Sequence, residues 1–195
     1  MFLHKLIGRT IVQSLMRAFA LLEAVEEKTT MSLTIEFYSA EPQELKALFA
    51  ENTPLDTFVQ KRQTFPQADF SFHLLLPDDL DNLCQILSTY HPLIPFRFQD
   101  VCVGPIWDDG LGTESLTILS EQFARALTEC SESDIEQAAL AWVSAFFPDG
   151  SHRNTLAYQA VRQLQEVARD VMRHKRSFIY HLAGAPAFFE YLRDL

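Results

Sequence analysis

The chain has 195 residues, 48% of them hydrophobic and 22% charged, with a formal net charge of −10. That length suits one globular domain, which buries roughly 70% of its unfolded surface and needs no disulfide or metal to fold. The excess of acid excludes nucleic-acid recognition, which needs clustered Lys and Arg, and no apolar run reaches the ~18 residues of a membrane span.

Residues 1–30 differ from the rest. They hold four basic and three acidic residues, against 12 and 23 in the remainder. Leu3, Ile7, Leu15, Phe19 and Leu22 recur at spacings that place them on one face of an N-terminal amphipathic helix. Gln13, Ser14 and Arg17 interrupt the apolar core and no small-residue cleavage site follows, which argues against a secretory signal. A docked helix and a targeting or membrane-surface helix are alternatives. The preferred reading is an extension, 1–30, ahead of a domain over 31–195 that restarts at Met31-Ser-Leu-Thr-Ile.

From Leu33 to Tyr38 apolar and polar residues alternate, as in a strand. Ser39 is placed to cap a helix running to about Ala50, and Pro54 opens a second, short helix containing Leu55, Phe58 and Val59. Phe70-Ser-Phe-His-Leu-Leu-Leu reads as a central strand. Pro77-Asp-Asp starts a helix whose Leu80, Leu83, Cys84 and Leu87 share a face, ended by Pro92 and Pro95. Phe98 to Val103 and Ser115 to Leu119 are expected strands. Ser120 caps the next helix, and Ser131 with Asp134 resembles a capping box before Ile135 to Phe147. Pro148-Asp-Gly is a turn. Thr155 to about His174 is a long helix with Leu156, Val161, Leu164, Ala168, Val171 and Met172 toward the core. Ser177 to Leu182 closes the set as a strand, and Ala187 to Leu195 forms a terminal helix. Phe188, Phe189, Tyr191 and Leu192 are expected to pack back on the sheet, with a docking patch as the alternative.

This order of elements resembles the uncharacterised bacterial domain family that includes the YfbM-like proteins. The likeness covers Met31 to Gly184. It rests on the first strand, Ser39-Ala-Glu-Pro-Gln-Glu-Leu opening a helix, His73-Leu-Leu-Leu ending a strand, Val103-Gly104-Pro105, and Ile118-Leu-Ser-Glu-Gln-Phe, followed by a long helix and the strand Ile179 to Leu182. The family often has a tryptophan just before the position of His73, where this chain has Asp69-Phe70-Ser71-Phe72. The resemblance implies an α+β domain with a small, mainly antiparallel sheet packed by several helices, and it carries no activity with it.

The candidate site is the stretch from Asp100 to Leu119, where glycines, Trp107 and clustered carboxylates meet in a loop between strand-like runs. Loops on a rigid scaffold are where function concentrates. Asp108, Asp109 and Glu114 are hard oxygen ligands of the kind that hold Mg²⁺ or Ca²⁺. Against this, Asp and Gly are favoured in turns for backbone reasons. Their spacing is no EF-hand, so no metal and no cofactor are assigned. Gly110-Leu-Gly112 runs toward a strand without the Lys-Ser or Lys-Thr of a phosphate loop. His73, inside an apolar strand, is either a base near neutral pH or a core histidine with one polar partner. The six histidines form no ligand set, and Trp142 belongs to a helical apolar stripe. Cys84, Cys102 and Cys130 are too scattered for a disulfide framework or a zinc site, which fits buried thiols in a reducing cytoplasm. The reading that results is an acidic, soluble, non-enzymatic interaction module with a protein partner. Its alternative is an enzyme or divalent-metal protein with its site at Trp107, Asp108, Asp109 and Glu114, joined by His73. No catalytic residue is assigned.

A chain beginning at Met31 is expected to melt within ~4 °C of the full-length protein. A larger loss in thermal midpoint, on the order of 1 kcal/mol or more, would mean that residues 1–30 dock on the core.

Overall fold

The computed structural model describes residues 33–50, 54–71, 77–146 and 153–184. All of them belong to the unit Ser32–Leu195. The helix expected over 1–30, His73, the Pro148 turn and the terminal segment 187–195 lie outside the described residues.

Among the described residues, five strands form one antiparallel sheet in the order β2-β1-β5-β4-β3. They are β1 (Thr34–Ala40), β2 (Gln67–Asp69), β3 (Cys102–Asp108), β4 (Glu114–Leu119) and β5 (Ser177–Ala183). The helices are α1 (Pro42–Ala50), α2 (Leu55–Arg62), α3 (Pro77–Ser88), α4 (Glu121–Glu129), α5 (Glu132–Phe146) and α6 (Arg153–His174). The protein is an α+β domain, and the last of its described strands is central: β5 inserts between β1 and β4.

Side chains alternate across a strand, and here both faces of the sheet are covered. Ile35, Phe37, Leu119, Phe178 and Tyr180 point into the larger core with α3 to α6. Phe37 is the hub of that core, its ring centroid 5.1 Å from Phe70, 5.4 Å from Tyr180 and 5.9 Å from Phe98. Trp142 of α5 is fully buried there, and its Nε1–H donates to the Asp79 carbonyl at 3.0 Å. Tyr38, Ala40, Leu116 and Ile179 face the other way, into a smaller core closed by Leu45 and Phe49 of α1 with Phe65, Ile106 and Trp107. Phe58 of α2 packs edge-on against Phe49, with centroids 5.2 Å apart.

Several local features follow the expected chemistry. The Ser120 hydroxyl accepts from the Phe123 N–H at 3.2 Å. Ser131 and Asp134 cap each other reciprocally, each side chain accepting from the other's backbone N–H at 3.1 Å. Other features differ. Ser39 caps nothing: it lies inside β1, and its hydroxyl donates to Asp170 of α6 at 2.7 Å. The helix after it starts at Pro42, whose missing N–H suits a first turn. Of the central strand expected from Phe70 to Leu76, only Phe70 and Ser71 are among the described residues, and neither is in a strand; the strand here is the three-residue edge strand Gln67–Asp69 just before them. Phe98–Val101 is a turn of 3-10 helix ahead of β3, stapled by the Phe98 N–H donating to the Asp81 carboxylate. Leu156 is 52% exposed, one position off the buried stripe Ala157, Ala160, Val161 and Leu164.

Among the described residues, neither sheet edge offers a clean ladder. β2 has only three residues. β3 carries Pro105, which has no N–H, and its register with β4 shifts at two places, between Cys102 and Gly104 and between Pro105 and Trp107. Edges interrupted in this way resist pairing with another chain.

Helix α6 ends in a Schellman arrangement, the Arg176 N–H donating to the Val171 carbonyl at 3.1 Å. Lys175 takes the left-handed position there, with φ of 55°. A side chain at that φ costs about 1 kcal/mol relative to glycine. Lys175→Gly is expected to raise the thermal midpoint by about 2–4 °C. No rise in a calorimetric scan would mean that the Lys175 side chain contributes a compensating interaction.

Candidate functional site

The second face of the sheet carries three ionisable side chains on adjacent strands. Glu36 in β1 and His181 in β5 are directly opposite each other in register. On the other side of β5, His181 is opposite Leu116, and Glu114 is the diagonal neighbour two residues back along β4. The imidazole therefore lies between two carboxylates. Its Nδ1 is 2.9 Å from Glu36 Oε2, and its Nε2 is 2.9 Å from Glu114 Oε1. Glu36 and His181 are 2% and 3% exposed.

Two further donors converge on Glu36. The Tyr38 hydroxyl donates to Oε2 at 2.6 Å, and Arg62 of α2 reaches Oε1 with Nη1 at 3.0 Å. The Arg62 Nε–H is buried without a hydrogen-bond partner. Phe49 of α1 lies over the imidazole with centroids 4.5 Å apart, and Trp107 packs on Phe49 at 6.1 Å.

Protonation follows from this geometry. A carboxylate oxygen only accepts, so two ring N–H groups are required to satisfy both carboxylates, and a neutral imidazole has one. Burial pushes the His181 pKa down, but hydrogen bonds to Glu114 and Glu36 and the charge of both carboxylates outweigh it, and the ring is held above the ordinary histidine value. Burial pushes the Glu36 carboxyl up. Hydrogen bonds from His181 and Tyr38, with the charges of His181 and Arg62, reverse that and hold it below the usual carboxylate range. Burial and the neighbouring Glu36 raise the Tyr38 phenol, so it stays a donor. Two carboxylates, one imidazolium and one guanidinium balance. Buried charges persist only when paired in this way.

The carboxylates of the Trp107–Glu114 stretch go to separate places. Asp108 is exposed, and its carboxylate accepts from the Gly110 N–H at 2.8 Å. Asp109 accepts from the Leu111 and Thr113 N–H groups at 2.9 and 3.2 Å and from the Thr113 hydroxyl. Desolvation pushes its pKa up, but these donors together outweigh it and hold the carboxyl below its ordinary value. Gly110 and Gly112, at φ of +71° and +70°, supply the left-handed backbone of this β3–β4 hairpin. Only Glu114, one-third exposed, turns inward to the imidazole, and Trp107 lines the same small core through Phe49. Among the described residues, no group of three His, Cys, Asp or Glu side chains is arranged to hold a metal ion. In the buried cluster the reason is geometric, because the two carboxylates sit on opposite edges of the ring and cannot share one ion with a ring nitrogen. A groove of about 420 Å³ between α5 and α6, bordered by Tyr158, Arg162, Gln165 and Arg169, includes none of these residues.

Glu36, Tyr38, Arg62 and His181 were not among the residues expected from the sequence. The signal was a shared parity: Glu36 alternates with Ile35 and Phe37, and His181 with Tyr180 and Leu182. Both read as solvent-facing positions of half-buried strands, and the covering layer of α1 and α2 makes them interior.

No family model, curated protein or solved structure matches the chain. Among the described residues no helix is long and apolar enough to cross a membrane.

Tyr38→Phe removes one donor from a buried carboxylate and nothing else. It is expected to destabilise the protein by about 1.5–3 kcal/mol, the range for hydrogen bonds to charged groups. The denaturant midpoint should fall with an unchanged slope. A midpoint shift below ~0.5 kcal/mol equivalent would mean that Glu36 does not depend on this donor.

Proposed function

We propose that the protein is a non-enzymatic interaction module of the bacterial cytoplasm, with an acidic exterior suited to a basic protein partner. The observation that carries the reading is the commitment of the hairpin carboxylates. Asp108 and Asp109 hold the turn by accepting from Gly110, Leu111 and Thr113, and Glu114 holds the imidazole. Side chains used in this way build a rigid hairpin. The net charge of −10 supports long-range attraction of a cationic partner. The thiols support the same reading. Burial pushes Cys84 up to about 12 and Cys102 and Cys130 up to about 11, so none is activated as a nucleophile. Three free cysteines accord with a reducing compartment. The resemblance to the YfbM-like family, and the bacterial source it implies, belong to this proposal.

A second reading, an enzyme or divalent-metal site in the Trp107–Glu114 loop, has one observation in its favour. Glu114 joins a partly exposed carboxylate to a buried imidazole backed by a second carboxylate, and such arrangements serve general acid–base chemistry elsewhere.

Two measurements separate these readings. Thermal midpoints in EDTA and in millimolar Mg²⁺ or Ca²⁺ are expected to coincide, for the native chain and for D108N/D109N alike. A bound ion at a hundredfold excess over its dissociation constant would add about 2.7 kcal/mol, and an ion-dependent rise lost in the double variant would promote the metal reading. A lysine-rich peptide is expected to bind at low salt and to weaken as screening increases. Absence of binding at low ionic strength would overturn the interaction module.

A further inference from the structure

We propose that the Glu36–His181–Glu114 cluster is a proton-controlled latch, in which loss of one ring proton from His181 releases the α1–α2 layer from the second face of the sheet. The inference rests on how that layer is attached. α2 is tied to the sheet by the Arg62–Glu36 ion pair at 3.0 Å, and α1 by Leu45 and by Phe49, whose ring covers the imidazole. α1 and α2 contact each other through Phe49 and Phe58. The ionic part of the attachment thus passes through Glu36, and Glu36 is balanced by His181.

Groups from several elements surround His181. β1 presents Glu36 and Tyr38, β4 presents Glu114, and α1 presents the Phe49 ring. α2 adds Arg62 through Glu36, and Asp69 of β2 is opposite Glu36 in register. When the ring loses a proton to water, one nitrogen becomes a lone pair facing a carboxylate oxygen at 2.9 Å. The cluster then carries one net negative charge, shared between Glu36, buried on the face of Tyr38, Leu116 and Ile179, and the one-third-exposed Glu114. An uncompensated buried charge is strongly unfavourable. Opening the α1–α2 layer lets water reach Glu36 and relieves it.

The sign follows from linkage. In the closed state the ring is held above its ordinary value, and in the open state it reverts to about 6.5. The latch is fully closed below about pH 6.5. Its opening constant rises by up to tenfold per pH unit above that and levels off once the pH passes the closed-state value.

Hydrogen exchange of the full chain from pH 6 to 10, corrected for intrinsic base catalysis, reads this directly. Protection of α1 and α2 amides is expected to fall as the pH rises above about 6.5, by up to tenfold per pH unit until it levels off, while α6 amides keep theirs. Ring ¹⁵N shifts should report an imidazolium at pH 6.5. Glu114→Gln is the decisive variant, since an amide can donate to the bare nitrogen and let a neutral ring keep both partners. In E114Q the pH-dependent loss of protection should shrink to less than about threefold. The proposal is overturned by a neutral ring at pH 6.5, by α1–α2 protection that is constant to pH 10, by a loss shared equally with α6, or by an E114Q profile as steep as the native one.

Discussion

A buried imidazole between two carboxylates must carry both of its protons, and much of this protein is arranged around that requirement. The register of β1 with β5 places Glu36 opposite His181, and the register of β5 with β4 places Glu114 on the diagonal. A slip of one residue in either pairing would turn every side chain of that strand to the other face. It would bury the charges among the phenylalanines of the larger core. A slipped pairing would leave these charges buried without partners, a cost that the native register avoids.

The two cores are unequal in kind. The larger one is aromatic and helical, with Phe37 touching four rings and α6 packed against β1, β2 and β5. Aromatic pairs of this type contribute about 0.5–1.5 kcal/mol beyond the area they bury. Its polar residues are few and satisfied: the buried Gln165 amide donates to the Leu127 and Cys130 carbonyls, closing the turn between α4 and α5. The smaller core has fewer apolar residues and a charge-balanced centre. Its stability depends on proton occupancy in a way that the larger core's does not.

Much of the architecture was legible in the sequence because period and punctuation agreed. The α4 and α5 caps at Ser120 and Ser131, the Pro54 start of α2 and the alternation in β1 and β5 each have a local cause that tertiary context leaves intact. The failures came where context overrode local chemistry. Ser39 has the right chemistry for a cap, but the strand continues through it because α6 offers Asp170 as a partner. Phe98–Val103 has the composition of a strand, yet the Asp81 side chain draws its first residues into a 3-10 turn. The candidate site was legible only in part. Trp107 and Glu114 border the cluster, whereas Asp108 and Asp109 serve the hairpin. Glu36 and His181 are 145 residues apart in the chain, and nothing local marks two strands as neighbours when they pair over that distance.

The interrupted edges of the sheet have a consequence for recognition. One common way for a protein to take a peptide is to let it join the sheet as an extra strand, with backbone groups providing the affinity. Here, among the described residues, the three-residue β2 and the proline-bearing, twice-shifted β3 leave little regular ladder for that route. On the proposed interaction-module reading, a partner reads side chains rather than backbone. Its specificity is then set by helix faces and loop tips, surfaces that change by point substitution without disturbing any strand pairing.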